Sequence, residues 1–517
     1  MKQSINSEIF KIAIIAFGLT FFYLLLYKIY IPHTNSFGCF DDCMNISAGY
    51  FLQYGRTLYS EIFFNHQPIL AYLSFFVQTA TNPQNLYELL LRHIQTVLLW
   101  SFLFNILIVY RFRFAGILFV IIFELSKYYL FGYKFLAESF IVYPMVYMAG
   151  LVLYKYLNKS IYDIEYLLGP MFTWFIIFSR EPFIPSSLIM LALLIGIPKT
   201  KIKKISVLTL IVISSISLLF LPFDEYLYSI TSLNYDAIIK NEAEESGLLG
   251  VITSIFYPII IFLKGQINDL RILQIGISSV FIISILLLIK NKKYIITFLI
   301  LLILGLSNIR AVDPGTLFYQ AFRMIPWFGM FLLISLILLG EVKVKNKFLK
   351  PILVSVVFVS LIIFVLYPGN YITKTVDQQF ELITNFGQTI QVGESVRILS
   401  SPDHTFFINQ NDSLVLSYWQ SQRNSSYKYG VFGYVQPGFK KYQREKENMI
   451  LYSPPDFYFG DLNITSDKEK QNEINNSYRL ILKESDTTGL FIKKSIINSI
   501  SDEKWQRAEG FEVVRPN

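Results

Sequence analysis

Apolar runs long enough to cross a bilayer recur along the first 368 residues of this 517-residue chain. A helix needs about 20 apolar residues to span the hydrocarbon core. In lipid, a spanning segment must also satisfy its own backbone hydrogen bonds. The runs lie near 9–31, 88–110, 114–131, 135–157, 165–180, 182–198, 205–222, 271–290, 294–309, 321–340 and 350–368. They predict a mainly α fold, a polytopic transmembrane helical bundle of about 11 helices. Composition points the same way: 16% of residues are charged, against about 25% in an ordinary soluble domain. The first run is followed by charged, structured sequence without a small-residue cleavage site. It therefore reads as an anchor rather than a removable signal peptide.

Lys plus Arg exceed Asp plus Glu by 45 − 37 = +8, and the placement of that excess decides what it means. Arg111 and Arg113, then Lys155 and Lys159, then Lys199, Lys201, Lys203 and Lys204 occupy alternate loops. Lys290, Lys292 and Lys293, and finally Lys343, Lys345, Lys347 and Lys350, continue the series. Every second loop is basic, as cytoplasmic loops are. The intervening loops hold Asp41, Asp42, Glu61, Asp224, Glu225, Glu242, Glu244 and Glu245. The pattern predicts a multi-pass protein of the plasma (inner) membrane with its N-terminus cytoplasmic. The positive charge is a topology signal, so the partner is a lipid bilayer and no nucleic acid is implied.

Two external loops are long. Within 32–87, Met44, Ile46, Ala48, Tyr50, Phe51 and Tyr54 recur at roughly helical spacing, the pattern of a helix lying in the membrane surface. A second apolar stretch, Pro68–Val77, is too short to span. Residues 223–270 carry an acidic stretch, Asn241–Ser246, then a semi-apolar segment ending at Lys264. After Pro368 the sequence turns polar. This divides the chain into a transmembrane module, 1–368, and an extracytoplasmic α/β domain, 369–517. Strand-like runs in the latter are Val396–Ser400, Ser413–Trp419, Tyr478–Leu482 and Gly489–Lys493.

The first external loop carries most of the candidate chemistry. It reads Phe40-Asp41-Asp42-Cys43-Met44-Asn45, then Gly55-Arg56-Thr57-Leu58-Tyr59-Ser60-Glu61, then Asn65-His66-Gln67-Pro68. Paired acids at a helix start have a plain explanation in the exposed N–H groups there, worth about 0.3–1 kcal/mol. The order of features adds a second: an Asp pair, a helix, Gly-x-x-x-Tyr-x-Glu, and a Pro opening a short apolar helix. It resembles the first extracytoplasmic loop of the polytopic glycosyltransferases of the C superfamily (GT-C). That group includes the protein O-mannosyltransferases and the lipid A aminoarabinose transferases. Gln67-Pro68 stands where the family has Pro-Pro, and Glu61 where it commonly has Asp. Further along, Arg92, Glu138, Ser179-Arg180-Glu181-Pro182 and Tyr319-Gln320-Ala321-Phe322-Arg323 resemble family positions near the outer ends of membrane runs.

The resemblance implies transfer of a sugar from a polyprenyl-phosphate donor to an extracytoplasmic acceptor (glycolipid, polysaccharide or protein) by a single inverting displacement. An acceptor hydroxyl needs a base, which points to Asp41, with Asp42 as helper or metal ligand. The departing phosphate needs fixed positive charge, which points to Arg180 or Arg323. Glu61, His66, Glu138, Glu181 and Tyr319 are cavity or supporting residues. A divalent cation on Asp41 is left open, because carboxylates alone are no metal signature.

Charges at membrane depth cost about 2.5–3.5 kcal/mol on insertion scales and persist where they are paired or line a cavity. The topology places Glu138, Arg180, Glu181 and Arg323 on the same side as Asp41. A structural ion pair explains Arg180 beside Glu181 equally well, and snorkelling at a helix end explains Arg92 and Lys134. His66 reads first as a packing residue. Cys39 and Cys43 are compatible with a disulfide or with two thiols. The rival functions are a lipid or oligosaccharide transporter (flippase), which predicts internal symmetry and mid-membrane charges, and a non-catalytic membrane scaffold.

Overall fold

Among the residues described by the computed structural model, seven helices are long and apolar enough to cross a membrane. Those residues are 2–233, 270–307, 321–341, 348–367, 370–409, 414–430, 439–463, 468–485 and 488–516. The seven are Ile9–His33, Leu86–Leu130, Ala137–Tyr156, Lys201–Leu219, Arg271–Lys290, Ala321–Glu341 and Leu349–Leu366. Leu86–Leu130 is a double-length segment, interrupted at Arg113 (φ 54°, ψ −122°). The sequence separates two apolar runs at that place. Three expected passes form shorter helices: Asp163–Ile177, Ile184–Ile195 and Tyr294–Leu306, of 15, 12 and 13 residues. At 1.5 Å per residue they reach roughly 18–23 Å, short of a 30 Å core. The turn through Ser179 and Arg180 separates the first two, and Gly196, at φ +61°, ends the second. The acidic stretch 241–246, the semi-apolar segment after it, Tyr319, Lys343, Lys345 and Lys347 lie outside the described residues.

The chain forms two compact units. The first, made of Met1–Pro32, Ile94–Phe220 and Ile230–Thr375, is helical. Its centre is the pair Ala137–Tyr156 and Ile325–Glu341, both almost wholly buried. Gly329 lets them approach, since a Cβ there would lie 2.6 Å from Val142 Cγ2 and 2.9 Å from Val146 Cγ2. Small residues at such crossings are how apolar helices gain packing without a hydrophobic driving force. In contrast, Lys201–Leu219 and the N-terminal helix leave most of their apolar surface uncovered by protein.

Inside this unit a charged network crosses four helical segments. Lys127 Nζ lies 2.6 Å from Glu124 Oε2, and both side chains are fully buried. Glu124 Oε1 accepts from Tyr143 Oη at 2.7 Å and from Asn105 Nδ2 at 2.8 Å. Asn105 also donates to Tyr23 Oη, and Tyr23 Oη donates to Ser101 Oγ. The rings of Tyr30, Tyr128, Tyr133 and Tyr371 stack beside it, Tyr128 and Tyr371 at 3.8 Å.

The second unit comprises His33–His93, Leu221–Ser229 and Val376–Asn517. The first long loop and the tail therefore fold together. A four-stranded mixed sheet, β1 (Phe406–Asn409), β2 (Phe457–Asp461), β3 (Tyr478–Lys483) and β4 (Thr488–Lys493), has the order β1-β2-β4-β3, with only β1 and β2 parallel. Strands thus occur at two of the expected runs. The other two are helical. Val396–Ser400 ends the helix Gln378–Leu399, whose buried Phe386, Thr389, Val392, Val396 and Leu399 follow a helical period. Asp377 caps it, its Oδ1 accepting from the amides of Gln379 and Phe380 at 3.0 and 3.1 Å. In Ser413–Trp419 the described residues lead into the short helix Ser417–Ser421. The helix Asp41–Gln53 forms where the sequence places a surface helix, but all of Asp42–Phe51 is buried. It packs on Ile69–Thr81 through Gly49, where a Cβ would meet Ser74 Oγ at 2.6 Å.

Two measurements test these energetics. Lys127→Met alone strands a buried carboxylate and should destabilise the chain by about 3–5 kcal/mol. Adding Glu124→Leu should recover most of that loss, measured by thermal melts of the full chain in detergent. Separately, burial pulls the Lys446 ammonium from 10.5 down to about 8, with its Nζ 2.6 Å from Asn409 Oδ1. Between those values the unfolded chain holds the proton and the folded chain does not, so stability rises with pH from about 8 to 10.5. Lys446→Met should remove that rise and lift the melting temperature near pH 7 by roughly 2–4 °C.

Candidate active site

The second unit brings Asp41, Asp42, His66 and Glu61 into one folded loop. Phe40 is extended (φ −129°), so the helix begins at Asp41. Asp42, 4% exposed, turns its carboxylate back to accept the Phe40 amide at 2.8 Å. That satisfies one of the donors a helix start leaves over. Asp41 keeps a third of its side chain exposed, and its Oδ2 lies 3.4 Å from His66 Nε2. The two adjacent acids therefore have different surroundings: one is turned into the backbone and one faces an imidazole.

His66 is fixed from several sides. Its carbonyl accepts from Tyr59 Oη at 2.8 Å, and its ring meets Phe64 edge-on at 5.8 Å. The next residue, Gln67, accepts from Tyr226 Oη at 2.9 Å. Cys39 and Cys43 are joined in a disulfide that brackets the acid pair, which resolves the choice the sequence leaves open. Glu61 closes the turn that starts at Arg56. Its carboxylate accepts the Thr57 amide at 2.7 Å, and that hydrogen bond holds its pKa below the usual carboxylate value. Glu61 is exposed and tied to backbone.

Arg56 ties the loop to the tail within the same unit. Its guanidinium donates to the carbonyls of Tyr427 at 2.8 Å, Lys428 at 3.3 Å and Ser425, and it lies over the Phe51 ring at 5.1 Å. Tyr50 Oη donates to Arg423 O, Ser47 Oγ to Val415 O, and the Phe63 amide to Gly430 O. The sequence shows Arg56 only as part of a turn; its partners lie some 370 residues away.

The first unit holds Glu138, Arg180, Glu181 and Arg323. Glu138 opens the helix Ala137–Tyr156 and accepts from Arg180 Nε at 2.8 Å, both side chains 2% exposed. Among the described residues, Arg180 is thus paired with Glu138 rather than with its neighbour Glu181. The second oxygen of Glu138, an oxygen of Glu181, and the hydroxyls of Ser139 and Ser179 are buried with no hydrogen-bond partner among the described residues. Such groups normally find water or a ligand. Arg323 sits in the turn Ala321–Met324, which packs against Lys127–Leu130 and against the helix that Glu138 opens. Lys134 is buried rather than at a wetted helix end. Sequence reasoning misses the Glu124–Lys127 pair, although opposite charges three apart inside an apolar run are a legible signal.

Asp41 and His66 supply two donor groups. Among the described residues no three His, Cys, Asp or Glu side chains come together as a metal site. No protein-family model matches the chain, and no curated protein or solved structure matches it.

The different roles of the two acids are open to direct test. Asp42→Ala should lower stability by about 1 kcal/mol, the usual effect of losing a cap. Asp41→Ala should change it by about 0.5 kcal/mol or less, as read by thermal melts of the full chain.

Proposed function

We propose that this chain is a membrane glycosyltransferase of the C superfamily type, moving a sugar from a polyprenyl-phosphate donor to an extracytoplasmic acceptor. The observation that carries the reading is the Asp41 carboxylate. It is accessible, it is held beside the His66 imidazole, and its helix start is secured by Asp42 and by the Cys39–Cys43 bond. In the transfer, the acceptor hydroxyl attacks the anomeric carbon while Asp41 takes its proton. The bond from that carbon to the phosphate oxygen breaks, and the polyprenyl phosphate leaves with the electron pair. One displacement inverts the anomeric centre.

Asp42 and His66 are positioning residues here, Asp42 through the helix start and His66 through the carboxylate it faces. Arg180, held by Glu138, and Arg323 are the cations suited to the phosphate oxygens, since a guanidinium presents paired donors to them. The oxygens around Glu138 and Glu181 that lack a hydrogen-bond partner among the described residues add a polar spot to the bundle, in addition to the Glu124–Lys127 network. A disulfide in the second unit suits an oxidising compartment. Together with the basic alternate loops, it favours an inner-membrane protein of about eleven passes, with the second unit outside and the N-terminus in the cytoplasm.

Asp41→Asn keeps the shape and removes the base. Transfer should fall by 10²–10⁴-fold, the usual contribution of a positioned base, with melting unchanged. The readout is mass spectrometry of envelope glycolipids and glycoproteins from cells carrying either form. Full glycosylation with Asp41→Asn at wild-type protein levels would defeat the assignment.

A further inference from the structure

We infer a binding site for an anionic phospholipid at the basic end of the helical unit, where the chain breaks its helix at Arg113. A cavity of about 310 Å³ opens there, walled by apolar side chains such as Leu118, Leu336 and Val354 and bordered by Arg113, Lys350 and Glu341. Apolar walls bordered by charge match a lipid, whose acyl chains need the first and whose phosphate needs the second.

The charges favour an anion. Glu341 is paired with Lys159 at 2.8 Å, so among the described residues the three cations Arg113, Lys159 and Lys350 set against one carboxylate leave +3 − 1 = +2. Arg113 and Lys350 are both exposed. Lys350 Nζ donates to Gly340 O at 2.6 Å, which holds the ammonium at the border of the cavity. Arg113 lies over the Tyr110 ring at 5.0 Å.

The two arginines of this turn contrast. Arg111 is used up inside the fold: it pairs with Glu165, donates to Ser160 O at 2.6 Å and stacks on Tyr154 and Tyr162. Arg113 takes a positive φ that a non-glycine residue adopts only when its surroundings impose it. That conformation turns the chain and sets an exposed guanidinium at the apolar cavity. Phe114, 58% exposed, follows directly and adds apolar surface for acyl chains. None of its lining residues is assigned to the transfer, so the site stands independently of that reaction.

The test uses the full-length protein in detergent, titrated with phosphatidylglycerol or phosphatidylcholine and read by native mass spectrometry and thermal melts. Phosphatidylglycerol should add as a single bound lipid and raise the melting temperature, and phosphatidylcholine should do neither. The double variant R113Q/K350Q should weaken phosphatidylglycerol binding about 30-fold, and R113Q alone about fivefold, as expected for roughly one charge interaction each. If the double variant does not fold, the single variant carries the comparison. Equal binding of the two lipids, unchanged phosphatidylglycerol binding in R113Q, or displacement of the lipid by excess inorganic phosphate would each overturn the site.

Discussion

The second unit depends on a guanidinium that pays off the backbone of two distant segments at once. Residues 425–428 and the turn after the helix Asp41–Gln53 both present carbonyls that neither a helix nor a sheet consumes, and Arg56 gathers them. Burial lowers its pKa from the ordinary arginine value, yet arginine remains charged at any physiological pH. Its hydrogen bonds are therefore of the stronger, charge-assisted kind. With that tie in place, the helix Asp41–Gln53 is covered on all sides, and the Asp41 carboxylate gains a fixed position beside His66. An acid on an unsupported loop would have no such address.

The helical unit faces the opposite problem, charge where little water reaches. Among the described residues three buried ion pairs stand out: Glu124 with Lys127, Glu138 with Arg180, Glu165 with Arg111. Pairing reduces the desolvation cost without turning it into a gain. Glu124 shares its oxygens among lysine, tyrosine and asparagine, so its network reads as structural. Both clusters keep buried oxygens with no hydrogen-bond partner among the described residues: Glu138 Oε2 and the Ser139 and Ser179 hydroxyls in one, Asn105 Oδ1 in the other.

Most of the helical architecture is legible in the sequence because an apolar run of bilayer length has few other uses. The break between 110 and 114 appears in the hydropathy, and the structure places it at Arg113. Short-range polarity is legible too: the helix start at Asp41 and the cap at Asp377 need only neighbouring residues. What the sequence does not show is partnership at long range. Arg180 follows Ser179 and precedes Glu181, and nothing local says that it will turn to Glu138. Val396–Ser400 reads as a strand in a short window, and only the buried period from Phe386 onward makes it a helix. Tyr50 looks like a surface residue of a membrane-bound helix, and Arg56 like part of a turn, until the tail covers them.

The central claim concerns a covalent transfer, so turnover of the donor tests it most directly. The purified full-length protein, reconstituted in lipid bilayers, would be given polyprenyl-phosphate sugars together with envelope acceptor fractions, and the lipid products analysed. Release of polyprenyl phosphate matched by a glycosylated acceptor of inverted anomeric configuration is expected. A donor that stays intact with every acceptor fraction, or that merely crosses the bilayer unchanged, would contradict a transferase.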